Sequence, residues 1–486
     1  MAIAGTIPKV PHHLRLMLNT RFLSVAAVAL FAGCTVGPNF ESPGADLPGS
    51  FRGDDNASSE SIADLPWWKI YRDPKLQSLI REGLANNQDL RIAVSRVEQA
   101  RQAANQTRSL ALPSVGYSGG VTTGRNQGGT AFGKSGDSGS GLLNAVWEID
   151  LWGRIRRLNE AELARYLATD EARRGVIVSL VGDISQAYFE LLELDLEKEI
   201  SIRSRDSFGK SFDLFQSRLE GGIASKLETS RAQAAAAQAA ATIPEIERLI
   251  SQKENQISIL TGRNPGPIEP RGTLSDGSDL DRVIPAGLPS AMVRRRPDIR
   301  QSEQLLRAAN AEIGVAIAEY YPKIGLTAVA GRISPDLSDL TDGKGNAWSV
   351  GADITGPIFQ AGRLQAREAQ ARAAWDEARI RHEKAVLVAL GEVSNSLVAR
   401  QKFAAARVEQ ERAVSALTEA VGISSERYAA GRASYFEILD SQLELFPTEL
   451  NLARVRLNQY LAVVTLYRAL GGGWSPGSIS SAKEGL

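Results

Sequence analysis

Five landmark residues recur in this chain at one constant spacing of 209 residues, the spacing from Asp89 to Asp298. Each has a partner of the same type in the second half of the chain. The pairs are Asp89 and Asp298, Pro113 and Pro322, Gly153 and Gly362, Gly222 and Gly431, and Gly262 and Gly471. Five coincidences at one offset would be improbable by chance, so the chain is an internal duplication. It is therefore expected to fold as two copies of one supersecondary unit.

Two matching stretches predict a hinge in each copy. RLEGGIASKLE covers Arg218 to Glu228, and RYAAGRASYFEILD covers Arg427 to Asp440. Each stretch runs from an arginine through a glycine and Ala-Ser to an acidic residue, and each joins two long helical patterns. The glycines, Gly222 and Gly431, are the expected positive-φ residues of the two turns.

Hydrophobicity alternates with a period of two from Pro113 to Gly153 and again from Pro322 to Gly362. This alternation predicts one hairpin per copy, with an apolar face and a more polar face. The polar, glycine-rich tips are expected over residues 123–140 and 332–347. The predicted apolar face comprises Val115, Tyr117, Val121, Leu143, Ala145, Trp147, Ile149 and Leu151 in the first copy, and Ile324, Leu326, Ala328, Ala330, Trp348, Val350, Ala352, Ile354 and Ile358 in the second.

Strands of about ten residues with this alternation are what a transmembrane β-barrel needs. A soluble hairpin that packs one face on a core is the alternative. Four strands cannot close a barrel, because known barrels have at least eight strands and an open edge in lipid leaves backbone groups unpaired. Oligomerisation is therefore expected, and a trimer would supply about twelve strands. After Cys34, no apolar run approaches the roughly 20 residues of a spanning helix.

Long helical patterns make up most of the rest. Residues 153–221 contain no proline and predict one helix about 100 Å long, at 1.5 Å per residue. Two shorter helices per copy are expected to stack end to end beside the long one. They cover 89–112 and 225–260 in the first copy, and 298–321 and 434–470 in the second, beside a long helix at 362–430. A solvated coiled-coil bundle is the alternative for these helices.

The N-terminus has the pattern of a bacterial lipoprotein. Arg21 precedes the apolar run from Phe22 to Ala32, and Phe-Ala-Gly-Cys ends at Cys34, the single cysteine of the chain. This pattern predicts a secretory signal peptide and acylation of Cys34; a buried free thiol is the alternative. Translation from Met17 would give a leader of more usual length.

These patterns divide the chain into consecutive segments. They are a signal peptide at 1–33, a lipid-anchored arm at 34–72, a first repeat at 73–266 with hairpin 113–152 and hinge 218–228, a linker at 267–296, a second repeat at 297–471 with hairpin 322–361 and hinge 427–437, and a tail at 472–486.

The chain resembles the TolC outer-membrane factor family, in its lipoprotein (NodT-like) efflux branch. The matching stretches are GCTVGPNF, WWKIYRDPKLQSLIREGLANNQDLRIA, WEIDLWGRIRR, RRRPDIRQSE, GPIFQAGRLQAR, RYAAGRASYFEILDSQ and LYRALGGGW. The resemblance implies a mainly α protomer with a β membrane part. It implies a homotrimer with a 12-stranded β-barrel in the outer membrane and a 12-helix α-barrel in the periplasm. Such proteins carry substrates outward from an inner-membrane transporter through a periplasmic adaptor, and they catalyse no reaction.

The resemblance also assigns roles to the hinges, which would lie at the periplasmic tips. The implied gate residues are Asp440, Glu437, Glu228 and Tyr428, and the implied adaptor-docking residues are Arg218, Gly222, Ser225, Arg427, Gly431 and Ser434. Ordinary solvated or capping acids are the alternative for the carboxylates. The arginine that partners the family's tyrosine falls on Ala433, so that link is absent or supplied by Arg432. Only the second hinge carries Tyr428 and Asp440, so the second hinge is expected to gate and the first to stay fixed.

Residue inventory argues against catalysis and against cofactors. His382 is the single histidine after residue 13, so a Ser-His-Asp set or a histidine metal cluster cannot be assembled. The formal charge of zero at pH 7 does not suggest a nucleic-acid binder. Met292 is the single methionine after residue 17, which favours organic drugs and toxic small molecules over copper or silver as cargo. A type I protein-secretion conduit and a lipid-anchored envelope scaffold are the alternative functions.

Overall fold

The computed structural model describes residues 35–44, 46–53, 61–125, 135–274, 285–334 and 345–472. The predicted signal peptide, Cys34 and the predicted tail from residue 473 onward lie outside the described residues.

Nine α-helices, one short 3₁₀ helix (Ile62–Asp64) and four strands are described. The main elements follow an order that repeats along the chain. The helices are α1 (Trp67–Ile70), α2 (Pro74–Asn86), α3 (Gln88–Ser109), α4 (Arg154–Glu220), α5 (Lys226–Leu260), α6 (Pro289–Arg295), α7 (Pro297–Ala318), α8 (Arg363–Ala429) and α9 (Tyr435–Ala469). The strands are β1 (Ser114–Arg125), β2 (Ser135–Ile149), β3 (Lys323–Ser334) and β4 (Asn346–Thr355). Each copy thus runs from a short helix through a hairpin to a helix of 67 residues and one of 35 residues.

The short helices that enter the hairpins end earlier than predicted, and both end in the same way. In α3 the amide of Leu110 donates to the carbonyl of Thr107, and in α7 the amide of Glu319 donates to the carbonyl of Ala316. These bonds span three residues, so the last turn of each helix is tightened before the chain enters its strand. The predicted ends at residues 112 and 321 include this turn.

The four strands form one antiparallel sheet in the order β1-β2-β3-β4. The hairpins therefore lie side by side, with β2 of the first copy paired to β3 of the second. The predicted tips at 123–140 and 332–347 were too wide, since β1 continues to Arg125 and β2 begins at Ser135. Glycine and serine extend the ladder because strand pairing uses the backbone and needs no apolar side chain.

The chain divides into two compact units, and each draws on both copies. The first unit contains the sheet, with residues 35–43 of the arm, Glu98–Thr169 and Ser302–His382. The second contains the hinges, within Asp170–Gln301 and the residues from Glu383 onward, together with Gly44–Val97. The compact units are thus not the two repeats.

The second unit has an aromatic and aliphatic core. Tyr71, Phe189 and Tyr460 are buried, and the rings of Phe189 and Tyr460 stack with centroids 4.7 Å apart. The helix α2 contributes one fully buried face to this core. Its N-cap is Asp73, whose carboxylate accepts from the amide of Lys75 at 2.7 Å, and whose other oxygen accepts from the hydroxyl of Tyr188.

One described helix, Arg154–Glu220, is long and apolar enough to span a membrane by length and composition alone. Charged residues interrupt this helix throughout, and its longest uncharged stretch runs from Gly175 to Gly182. Its most apolar part is 61% buried inside the protein, which is typical of a core helix.

Candidate functional site: an exposed apolar sheet face and two helical hinges

One face of the sheet gathers the predicted apolar positions of all four strands. Directly paired residues of adjacent strands present their side chains on the same face. The register aligns these positions in rows: Val115, Ala145, Ala328 and Val350; Tyr117, Leu143, Ala330 and Trp348; Trp147, Leu326 and Ala352; and Ile149, Ile324 and Ile354. The predicted phase is confirmed within the strands, and the duplication extends one apolar surface across both hairpins. The prediction was wrong for Leu151 and Ile358, which lie beyond the ends of β2 and β4.

This apolar face is uncovered in the described part of the chain. Tyr117 is 88% exposed, Trp348 80% and Val350 76%. An antiparallel sheet in water normally packs its apolar face against a core. A face of this kind that projects outward fits a lipid environment, and the alternative of a soluble hairpin on a core lacks the cover it requires.

The opposite face of the sheet is more polar. It is built largely from small and hydrophilic side chains, among them Ser114, Gly116, Ser118, Thr122, Asn144, Glu148, Thr327, Ser349, Gly351 and Asp353. The amide of Asn144 donates to the hydroxyl of Ser118 at 2.9 Å across this face. One apolar and one polar face are what a strand between lipid and an aqueous lumen requires.

The sheet has two open edges. Among the described strands, β1 pairs only with β2, and β4 pairs only with β3. In lipid each unpaired backbone group would cost several kcal/mol.

The first hinge is a Schellman turn followed by a capped helix. The amides of Ile223 and Gly222 donate to the carbonyls of Arg218 and Leu219, at 2.8 and 2.9 Å. This pattern needs a left-handed residue after the helix, and Gly222 has φ of 76°. Glu228 accepts from the backbone amide of Ser225 at 3.1 Å, which completes a capping box at the start of α5.

The second hinge repeats the turn with different side-chain bonding. Gly431 has φ of 70°, so the positive-φ prediction is confirmed at both glycines. Glu437 occupies the position of Glu228 in the second copy, but its carboxylate lies 3.6 Å from the guanidinium of Arg427. Both side chains of this pair are about half exposed. Asp440 is exposed, and within the described residues no hydrogen bond or ion pair of its carboxylate is found.

The two hinges contact each other through Arg218 and Tyr428. The guanidinium carbon of Arg218 lies 4.0 Å from the centre of the Tyr428 ring, and Nη2 donates to the Tyr428 carbonyl at 3.2 Å. Tyr428 is only 5% exposed, and its ring meets fully buried Phe215 edge to face at 5.4 Å. Buried Ala232 and Ile438 complete the cluster. A cation–π contact in this partly desolvated setting is stronger than one at an open surface.

Sequence reasoning missed this contact. The side chain over Tyr428 is Arg218, and no bond from Arg432 to Tyr428 is found in the described part of the chain. A second polar link joins α4 to α9, further along these helices from the two turns. Gln442 is buried, accepts from the hydroxyl of Ser211 at 3.1 Å, and donates to that of Ser207 at 2.9 Å. Partners more than 200 residues apart leave no local pattern.

A buried carboxylate pair lies further along α4. Glu193 and Glu197 stand one helical turn apart and are both buried. Arg454 of α9 donates to Glu197 at 3.1 Å. Burial, and next the neighbouring Glu197 carboxylate, raise the pKa of Glu193 to about 8, while Arg454 acts in the opposite direction. The sequence shows only an i, i+4 pair of acids, a spacing typical of a solvated helix face.

A sequence model described as outer membrane efflux protein matches residues 79–263 and again 288–472. The chain belongs to the outer membrane efflux protein family. Each bound of the second match lies 209 residues after the corresponding bound of the first. The duplication read from five landmarks is thus confirmed over nearly the whole of both copies.

Members of this efflux family with curated descriptions match along their whole length. The chain is 33% identical over 469 residues to the probable efflux pump outer membrane protein TtgC of Pseudomonas putida, covering 94% of this chain and 96% of TtgC. It is 30% identical over 461 residues to the cation efflux system protein CusC of Escherichia coli K12, covering 94% of this chain and all of CusC.

Solved channels of the efflux family have the same fold. The outer-membrane channel OprN superposes with a TM-score of 0.83 at 30% identity, over 91% of this chain and all of OprN. The open state of the MtrE channel of Neisseria gonorrhoeae superposes with a TM-score of 0.82 at 29% identity, over 90% of this chain and 98% of MtrE. The protein is thus an outer-membrane efflux protein, and the prediction that it is not an enzyme agrees with its family.

Proposed function

We propose that this protein forms the outer-membrane channel of a tripartite efflux system, as a homotrimer anchored by lipid at Cys34. The observation that carries the proposal is the exposed apolar face that runs across all four strands, bounded by two open edges. Three copies joined edge to edge would give a closed barrel of about twelve strands, within the known range for outer-membrane barrels.

The described arm supports the lipid anchor. Thr35, the residue after Cys34, lies against Gly153 at the end of the sheet, where a Cβ on Gly153 would come within 2.8 Å of the threonine methyl. An acyl chain on the preceding residue would therefore leave the protein beside the strand ends. A single acyl chain binds a membrane only marginally, so the strands and the lipid would act together.

The hinges would form the periplasmic end of the channel. The second hinge would gate, through Asp440, Glu437 and Tyr428, while Glu228 is held in its capping box. Three copies of Asp440 around a narrow axis would repel one another and favour cations. The docking surface for a periplasmic adaptor would include both turns. Its residues are Arg218, Gly222 and Ser225 of the first hinge, and Arg427, Gly431 and Ser434 of the second.

The proposed cargo is small organic molecules, delivered by an inner-membrane transporter. Met292 is buried, so it lines no path on which a soft metal ion would bind thioethers. Named relatives include efflux pump proteins for toluene and for antibiotics as well as for cations.

Purified protein in a planar lipid bilayer tests the channel. We expect ion conductance, with a higher basal level in the double variant Asp440→Ala, Glu437→Ala. Absence of conductance in both proteins would overturn the channel and favour an envelope scaffold.

Deletion of the gene in the native host distinguishes small-molecule cargo from protein cargo. We expect loss of resistance to organic toxicants. Loss of protein secretion with unchanged resistance would instead identify a type I secretion conduit.

A further inference from the structure

Residues 35–42 of the arm are bound in a site built from two helices of the sheet-containing unit. The arm enters beside the end of β2, where the amide of Val36 donates to the carbonyl of Trp152 at 3.1 Å. It then follows α7 backwards. Gly37 lies against Gly314, the carbonyl of Pro38 accepts from the side chain of Asn310, and the hydroxyl of Ser42 donates to Glu303.

Arg157 is the centre of this site. It belongs to the first turn of α4, and it is only 3% exposed. Its guanidinium donates to the carbonyls of Val36 and Gly37, both at 3.1 Å, and to the side-chain oxygen of Asn39 at 2.9 Å. Glu160 lies 2.8 Å away and balances its charge. A buried arginine that satisfies three acceptors of one extended segment is a peptide-recognition site.

Two glycines allow the arm to approach this closely. Gly37 has φ of 89°, and a Cβ there would lie 2.5 Å from the backbone of Gly314. A Cβ on Gly314 would in turn lie 2.8 Å from the Arg157 side chain. The site thus requires a glycine of positive φ in the arm (Gly37), a second glycine without a side chain on α7 (Gly314), and Arg157 on α4.

The position of the site connects it to strand pairing. Helix α4 follows β2 directly, and α7 leads directly into β3. The β2–β3 ladder is the pairing that joins the two hairpins, since β1–β2 and β3–β4 lie within single copies. A segment bound to α4 and α7 together can dock only when the bases of β2 and β3 are side by side.

We propose that the arm is a clasp, recognised by Arg157, whose docking stabilises the pairing of the two hairpins. By linkage, a ligand that binds only the paired arrangement stabilises that arrangement, and loss of the ligand loosens it. The stretch GCTVGPNF then contains the segment that Arg157 binds, and WEIDLWGRIRR contains Arg157 itself. The clasp goes beyond the channel function, and it holds whether or not Cys34 is acylated.

Hydrogen exchange of the full-length protein, purified from membranes in detergent, tests the clasp. In Arg157→Ala we expect amide exchange at least 10-fold faster in the arm peptide that contains Val36, and several-fold faster in peptides covering β2 and β3. Peptides of the hinges should keep their wild-type rates. Gly314→Ala, which blocks the site from the side of α7, should have the same effect.

The matched control is Arg165→Ala. Arg165 is also on α4 and forms ion pairs with Glu162 and with Glu312 of α7, so its loss removes an α4–α7 contact without touching the arm's bonds. We expect exchange in the arm and in β2–β3 to stay within about twofold of wild type. An equal effect of Arg165→Ala and Arg157→Ala would overturn the clasp.

Two further outcomes would overturn the proposal. One is wild-type exchange of the arm in Arg157→Ala, and the other is a released arm with unchanged β2–β3 exchange. If Arg157→Ala does not reach the membrane, Asn39→Ala removes one bond from the arm side and should still raise arm exchange about threefold; no increase would overturn the clasp. The mass of the N-terminal fragment reports acylation of Cys34 separately, so failure of the lipid anchor is distinguishable from failure of the clasp.

Discussion

Replacing Arg218 by alanine should loosen the second hinge and raise basal conductance. Arg218 makes a cation–π contact of about 1–2 kcal/mol with the buried Tyr428 ring. Its hydrogen bond to the Tyr428 carbonyl adds about 1.5 kcal/mol, as a bond from a charged donor. Together these are about 2.5–3.5 kcal/mol per protomer. At about 1.4 kcal/mol per factor of ten, the equilibrium between the closed and the loosened hinge should shift roughly 60- to 300-fold.

The second copy supplies the matched control for this experiment. Arg427 is the duplicate of Arg218, but its pairing with Glu437 is 3.6 Å long and half exposed, worth about 0.5 kcal/mol or less. Single-channel recordings in planar bilayers should therefore show a large rise in open probability for Arg218→Ala and a small one for Arg427→Ala. Equal effects of the two substitutions would contradict the role assigned to the Arg218–Tyr428 contact.

Tyr428→Phe separates the ring from the hydroxyl. The contact uses the ring face and the backbone carbonyl, so phenylalanine should retain wild-type open probability. A large effect of Tyr428→Phe would mean that a hydrogen bond of the hydroxyl holds the hinge instead.

Three further outcomes follow from the described residues. Asp440→Ala should raise basal conductance in bilayer recordings more than Glu228→Ala, and the reverse order would contradict the gate. Glu228→Ala instead removes a capping box, which should lower the free energy of unfolding by about 1 kcal/mol and the thermal midpoint slightly. Because the folded-state pKa of Glu193 is raised, its contribution to stability is full below about pH 4.5 and is lost as pH rises through about 8. Glu193→Gln should therefore flatten the fall in the thermal midpoint of unfolding between about pH 5 and 9. An unchanged slope would contradict this. Val350→Lys, on the apolar face, should lower the stability of the sheet in the membrane by about 2–4 kcal/mol and reduce membrane insertion, measured by urea extraction. Ser349→Lys, on the opposite face, should insert normally.

Periodic and repeated signals made much of the fold predictable. The apolar phase of the strands was readable because alternation depends only on neighbouring residues, and the register then placed Val115, Ala145, Ala328 and Val350 in one row. The helix ends at Gly222 and Gly431 were readable because a Schellman turn needs a positive φ that glycine adopts without strain.

Contacts between distant segments were not predictable in this way. Nothing near Tyr428 in the chain indicates that Arg218 covers its ring. The acids Glu193 and Glu197 have the spacing of a solvated face, and only tertiary packing buries them. Residues 35–42 of the arm show no period, because an extended segment bound through its carbonyls places few demands on side-chain type.

The division into compact units that mix the copies has an evolutionary consequence. Neither copy contains a whole compact unit, so a chain cut within the linker would give two fragments that each expose half of a shared interior. Because the two copies belong to one chain, however, matching positions in the two copies can hold different residues. Tyr428 has Leu219 at the matching place in the first copy, and Asp440 has Arg231. In a ring of identical single units, a substitution at one site would appear in every unit. In the proposed trimer of duplicated chains it would appear in alternate units only, so half of the ring could specialise while the other half kept its original form.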